Sequence, residues 1–218
     1  MITLIETADG SQTLKNNDIG ENYHSTHGAV QESMHVYINH GLRLAASKKS
    51  KIRVFELGFG TGLNALLSLR EVLENPNLEV EYVCVEPFSL SENIYRQLNY
   101  PFENERDYFM QMHQSVNTQN IYIHERFSFL KMEIKFEDFQ DEQNFDLVYY
   151  DAFGPISQPE LWNMDSLSKS VDMLNSEGIW VTYSSKGEVR RGLISLGLDA
   201  VRLAGPPGKR HMIFATKP

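Results

Sequence analysis

The sequence predicts a doubly wound α/β fold, in which a mostly parallel sheet is covered by helices on both faces and carries an antiparallel C-terminal edge strand. Three observations lead there. Short apolar, strand-like runs alternate with helical apolar rhythms from residue 52 to residue 198. The first of these runs breaks into glycines at 58, 60 and 62 just ahead of a helix pattern. The last two β-rich runs are joined by Gly-Pro-Pro-Gly at 205–208, a turn that fits an antiparallel pair. With 218 residues, 41% of them hydrophobic, the chain is long enough to bury one sizeable core and too apolar to be disordered.

The elements follow in order. Residues 11–30 are polar and rich in Asn, Gly and His, and read as an irregular arm. A helix over Met34–Ala46 is expected from Met34, Ile38, Leu42 and Ala45, so that 1–46 form an N-terminal arm and helix ahead of a core at 47–218 in a single domain. Strand 52–57 leads through the glycines to helix 63–73, and strand 79–85 follows. Residues 87–112 look helical and irregular, as a crossover would. Runs 121–129 and 131–136 are expected to pair as a hairpin. Strand 145–150, helix 161–174, strand 178–183, helix 188–196 and strands 198–203 and 211–216 complete the chain. Tyr149 and Tyr150 alternate across a strand, so one of them is expected to face the core.

Composition removes several classes. A single cysteine, Cys84, excludes a disulfide framework, and no His, Asp or Glu cluster has metal-ligand spacing, so no metal is expected. No run of 18 apolar residues exists and residues 1–10 lack the halves of a signal peptide, so no membrane partner and a cytoplasmic location are expected. The net charge of −9 conceals an asymmetry. Segment 186–218 holds seven basic and two acidic residues, a local +5 against −14 for the remainder. A localised basic end can meet a polyanion whatever the overall sign, or it can be a solvated face with no partner.

Glu56-Leu-Gly58-Phe-Gly60-Thr61-Gly62 sits where the first strand turns into the first helix, a place where glycines allow tight turning and close approach to a ligand. Leu63 occupies the position where a dinucleotide loop needs glycine, and the lysine of a triphosphate loop is missing. The second strand ends at Glu86, where a carboxylate can accept both hydroxyls of a ribose. Strand, glycine loop, helix, strand and terminal acid together resemble the S-adenosylmethionine-dependent methyltransferases, whose Rossmann-like fold this chain is expected to share. In that resemblance Glu56 lies near the amino group of the methionine moiety, and Asp138, after the strand-like run ending at Phe136, meets the adenine, with Glu137 able to substitute.

Asp151-Ala-Phe153-Gly-Pro155 follows the fourth strand, at the carboxyl ends where open α/β sheets bind ligands. The corner resembles those of amino-group methyltransferases, in which Asp or Asn precedes an aromatic. A primary alkylamine has a pKa of about 10.4, so deprotonating it at neutral pH costs on the order of 4–5 kcal/mol. An anionic Asp151 favours the ammonium, so its expected work is to accept an amine N–H, orient the lone pair and stabilise developing positive charge. Phe153 is placed to stack on a flat base.

Four segments in order extend the likeness: FELGFGTGLN at 55–64, FDLVYYDAFGPISQPELW at 145–162, YSSKGEVRRGLISLGL at 183–198 with GPPGKRHM at 205–212, and NYHSTHGAVQE at 22–32. Together they resemble the methyltransferase family typified by MnmC. That resemblance implies S-adenosylmethionine as cofactor and tRNA as partner. The implied reaction is methylation of the 5-aminomethyl group of a wobble uridine, commonly 2-thiolated, to 5-methylaminomethyl uridine. It places the glycine loop on Gly58, Gly60, Thr61 and Gly62, the ribose acid on Glu86 and the catalytic corner on Asp151 and Phe153. Tyr23, Arg190, Arg191, Lys209 and Arg210 fall on substrate or tRNA positions. Bifunctional members also carry an FAD-dependent oxidase half; the chain stops at Pro218 and is expected to lack it and to receive the aminomethyl uridine from elsewhere. The alternative is a methyl- or aminopropyl-transferase acting on a small amine without nucleic acid.

Overall fold

The computed structural model describes residues 1–100, 102–115, 119–141 and 143–218. Its main sheet has eight strands in the order β10-β11-β9-β8-β4-β5-β7-β6. These are β4 (Lys51–Leu57), β5 (Glu79–Val85), β6 (Ile121–His124), β7 (Phe127–Met132), β8 (Phe145–Tyr150), β9 (Leu174–Thr182), β10 (Asp199–Ala204) and β11 (His211–Thr216). Parallel ladders join β9, β8, β4, β5 and β7. The antiparallel strand of the closing pair, β11, is inserted between β9 and β10, so β10 rather than β11 forms the edge. The first strand, β4, lies centrally with β5 on one side and β8 on the other, and the order reverses there. Ligands bind at such a switch point, outside the carboxyl ends of the strands.

The sheet is buried on both faces, which is why its strands read as nearly continuous apolar runs. Val54, Tyr82, Tyr149 and Val181 pack on one face, against Leu69 and Val72 of α3 (Leu63–Glu74). Phe55, Val83, Tyr150 and Trp180 pack on the other, with Leu167 of α6 (Met164–Asp172) and Leu193 of α7 (Gly187–Ser195). Tyr149 and Tyr150 are therefore both fully buried, where the sequence suggested only one inward face.

Several expectations are corrected. The N-terminal arm is a second, three-stranded antiparallel sheet of β1 (Ile2–Glu6), β2 (Gln12–Asn16) and β3 (Glu21–Asn22). Its strands are short and of mixed polarity, and turns that close on glycines 10 and 20 with positive φ set its pairing. The hairpin turns at 125–126, and nothing from 133 to 136 joins the sheet. Helix α6 starts only at Met164, because the Asn163 side chain caps it by accepting from Ser166 N at 2.9 Å. It ends at Asp172, since Leu174 already pairs with Phe145 in the sheet.

The helix placed at 34–46 begins earlier, as α1 (Ala29–Ser33), and continues through a π-helical stretch, Met34–Leu42, into α2 (Arg43–Ala46). The wider turn is visible in the bond from Arg43 N to Ile38 O. At Gly41 the stretch lies so close to the sheet that a Cβ would stand 2.9 Å from the Tyr149 ring. The crossover from 87 to 112 resolves into α4 (Glu92–Tyr95) and α5 (Arg106–Gln114).

Candidate active site

The carboxyl ends of β4, β5 and β8 open into a cavity of about 690 Å³, within the range of small-molecule sites. The glycine loop forms its floor. Gly58, Gly60 and Gly62 all hold positive φ, and a Cβ on Gly58 would come within 2.9 Å of the Asp151 carbonyl oxygen. A Cβ on Gly60 would stand 3.0 Å from the Tyr23 ring across the cavity. Glycine is thus required where loop, corner and arm meet. Glu86 holds the loop by accepting from Gly60 N and Phe88 N, both at 2.9 Å. Burial raises its pKa against those two hydrogen bonds. Each Glu86 oxygen keeps acceptor capacity for a further donor.

The 151–155 corner is pinned at almost every backbone group. Asp151 N donates to Leu57 O at 3.1 Å, Phe153 N to Gln158 Oε1 at 3.0 Å, and Gly154 N to Glu21 Oε2 at 2.9 Å. Tyr183 Oη donates to Ala152 O at 2.9 Å and Trp162 Nε1 to Phe153 O at 2.7 Å. Such support fixes a functional group within a fraction of an ångström.

Asp151 itself sits in a buried polar network. Tyr37 Oη donates to its Oδ1 at 2.5 Å, and Asn64 Nδ2 donates to its Oδ2 at 2.7 Å. The same Asn64 nitrogen donates to Glu56 Oε1 at 2.8 Å. Burial pushes the Asp151 carboxyl up to about 7, while the Tyr37 and Asn64 bonds pull the other way. Burial and the Asp151 charge hold Glu56 well above the carboxylate range. One amide thus serves two acids, of which Asp151 reaches the cavity and Glu56 does not.

The other expected residues sort clearly. Phe153 and Tyr23 line the cavity together, their rings meeting edge-on at 4.9 Å. Thr61 lines it too, and its Oγ1 accepts from Tyr100 Oη at 2.7 Å. Glu56 is withdrawn beneath the floor, where it braces Asn64 instead of facing a ligand. Asp138 is exposed and outside the lining, whereas Glu137 belongs to it. Arg190 is half-buried and donates through Nε to Ala200 O at 3.0 Å, so it braces β10. Lys209 pairs with Glu32 at 2.5 Å and lies 4.1 Å over the Tyr183 ring. Arg191 and Arg210 are exposed. His24 lines the cavity but is buried against Thr13 Oγ1, and burial lowers its pKa to about 4. His113 is enclosed by Tyr95, Phe59 and Phe109 and contacts Thr61 O at 3.1 Å, a brace behind the loop.

Tyr37, Asn64, Glu21 and Tyr183 had no assigned role in the sequence. Only Asn64 leaves a local signal there: it is the polar member of Leu63-Asn-Ala-Leu-Leu67, an otherwise apolar helix start.

Residues 100–218 match the family model described as S-adenosyl-L-methionine-dependent methyltransferase. The structure aligns over its whole length with the crystal structure of MNMC2 from Aquifex aeolicus, covering 72% of that chain with a TM-score of 0.86 and 30% identity. The chain belongs to the S-adenosyl-L-methionine-dependent methyltransferases. Among curated relatives, an uncharacterized protein of Methanocaldococcus jannaschii is 27% identical over 98% of this chain and 59% of its own length. The tRNA 5-methylaminomethyl-2-thiouridine biosynthesis bifunctional protein MnmC of Ectopseudomonas mendocina is 28% identical over 89% of this chain. The chain spans 32% of the length of that protein. The spermidine synthase of Thermotoga maritima, at TM-score 0.63, 14% identity and coverage of 100% and 69% of the two chains, shares the fold.

The methyltransferase assignment suits the residues present. The positive-φ glycine floor leaves the space that side chains would fill, and Glu86 offers acceptors for paired hydroxyls. Phe136, Leu161 and Phe88 give the cavity apolar walls for a flat ring. Among the described residues no group of three or more His, Cys, Asp or Glu could hold a metal, and no helix is long and apolar enough to cross a membrane.

Proposed function

We propose that this methyltransferase N-methylates the 5-aminomethyl group of a wobble uridine in tRNA, 2-thiolated or not, producing 5-methylaminomethyl uridine. The observation that carries the reading is Asp151, held at the cavity floor beside the Tyr23–Phe153 ring pair. S-adenosylmethionine supplies an activated methyl group on a sulfonium centre. Glu86 and the loop Gly58–Gly62 would hold it, with Phe136 and Glu137 at the adenine end.

The residues of this chain then act on the acceptor. An ordinary carboxyl would take a proton from an alkylammonium at a cost of roughly 9 kcal/mol, from a pKa gap of about 6.5 units. With Asp151 near 7 the gap is about 3.4 units and the cost roughly halves. Asp151 therefore serves as more than an N–H acceptor: it receives the proton at the oxygen lone pairs left free by Tyr37 and Asn64. Tyr23 and Phe153 form one aromatic wall against which the acceptor ring packs, excluding water. The exposed Arg191 and Arg210 provide phosphate contacts; Arg190 and Lys209 are spent on the protein's own structure.

A second reading, a small free amine, is favoured by Glu160 and Asp165 in the cavity lining, carboxylates that suit a compact cation. One experiment separates the two. Purified protein, labelled S-adenosylmethionine and tRNA from cells lacking this activity are incubated, and the nucleosides are analysed. Label in methylaminomethyl uridine supports the tRNA reading; tRNA without label, with cofactor binding intact by calorimetry, refutes it.

A further inference from the structure

We propose that Tyr37 is a positioning residue for the transfer step, presenting its hydroxyl from the π-helical stretch to Asp151 Oδ1 and, with Asn64 on Oδ2, fixing which carboxylate lone pairs are left for the acceptor amine. The inference rests on the functional reading above, since it assigns Tyr37 a part in that same site.

Three features of the structure carry it. Tyr37 is 1% exposed and absent from the cavity lining, so its effect must pass through Asp151. The ring is wedged against Tyr149, with centroids 5.1 Å apart, and its hydroxyl meets Asp151 at 2.5 Å across 114 residues of sequence. The helix carrying it departs from α geometry over Met34–Leu42, whereas the other long helices among the described residues are α-helical. A π-helical turn costs backbone energy and tends to persist where it re-aims a functional side chain. Two donors, one on each oxygen, leave one lone-pair direction per oxygen. The carboxylate cannot rotate without breaking one of them.

The titratable and charged groups facing Asp151 come from every element packed around it. They are Tyr37 on the π-helical stretch, Glu56 on β4, Glu32 on α1, Tyr183 after β9 and Lys209 in the closing turn. Of these, Tyr37 alone donates a hydrogen bond to Asp151; Asn64, the other donor, does not titrate. Removing the Tyr37 hydroxyl strips a bond from the charged form and must raise the Asp151 pKa.

The test uses protein carrying carboxyl-¹³C aspartate, the Asp151 resonance being identified by its loss in Asp151→Asn. In Tyr37→Phe the Asp151 titration is expected to move up by about one pH unit, as a hydrogen bond to a charged group implies. The acid limb of kcat is expected to move with it, kcat at pH 7 to fall about fivefold, and KM for S-adenosylmethionine to stay within about twofold. If Tyr37→Phe fails to fold, 3-fluorotyrosine at position 37, a more acidic donor, is expected to move the titration downward. An unmoved titration, or a pH-independent fall in kcat, overturns the proposal. A wild type that methylates no amine, while Tyr37→Phe still moves the Asp151 resonance, refutes the functional reading and with it the positioning role, leaving only the hydrogen bond.

Discussion

Replacing Gly58 by alanine separates backbone strain from steric contact, because the molecule contains its own control. Gly58 and Gly197 hold nearly the same positive φ, +89° and +91°. A Cβ at Gly197 would meet nothing within 4 Å, whereas at Gly58 it would lie 2.9 Å from the Asp151 carbonyl oxygen and 3.4 Å from the carbonyl carbon. Left-handed backbone costs a non-glycine residue about 1–2 kcal/mol, so Gly197→Ala should lose that much and no more. Gly58→Ala adds an overlap with backbone that is itself tied to Leu57 O, and overpacking of this kind costs a further 1–3 kcal/mol or so. Urea unfolding monitored by circular dichroism gives both values, with equal m-values confirming a common denatured state. Gly58→Ala should also weaken binding of S-adenosylhomocysteine, measured by calorimetry, while Gly197→Ala leaves it intact. Equal stability losses in the two variants would refute the contact argument, and unaltered ligand binding in Gly58→Ala would refute the placement of the loop at the cofactor.

Asp151 is raised to about 7 from an ordinary carboxyl value of 3.8, so the folded state binds the extra proton between those values and stability from this group falls as pH rises through 7. Between pH 5 and pH 8 it should remove about 2–3 kcal/mol, a slope that Asp151→Asn abolishes in urea titrations at both pH values. Arg190→Ala should cost about 1–2 kcal/mol of stability through its lost bond to Ala200 and its buried stem, with tRNA affinity little changed. Arg191→Ala should do the reverse, lowering the slope of log K against log salt by roughly 0.7–0.9 in filter binding. Glu21→Ala releases Gly154 N and the Ser157 hydroxyl, and should speed proteolysis within 153–158 and raise KM for the methyl acceptor more than for the cofactor.

The parallel sheet was legible because its strands are buried on both faces and separated by helices, so each run stands out as apolar. The glycine loop and the 151–155 corner were legible because special backbone conformations demand special residues. Tyr37 was not, since its partner lies 114 residues away and nothing in a tyrosine's neighbours announces a hydrogen bond. A faint trace exists in the rhythm Met34, Ile38, Leu42, whose unbroken spacing of four suits a wider turn than an α-helix makes. Glu56 shows the opposite error. An acid at the head of a glycine loop invites a ligand role, yet β4 turns it under the floor, where only Asn64 reaches both it and Asp151. The N-terminal sheet is not legible, because strands of five, five and two residues with mixed polarity carry too little periodicity to read.

That small sheet has a consequence for the order in which the protein matures. Ile2, Asn16, Asn22 and Tyr23 wall the cavity, and Glu21 ties the sheet to Gly154, 133 residues further along. These residues leave the ribosome ahead of β8 and therefore complete the site only after β8 has emerged and docked against β4. Contacts of such long separation close late. Until they do, the nascent chain carries a cofactor floor without its wall, so ligand binding should appear as one of the last events of folding rather than growing with the core.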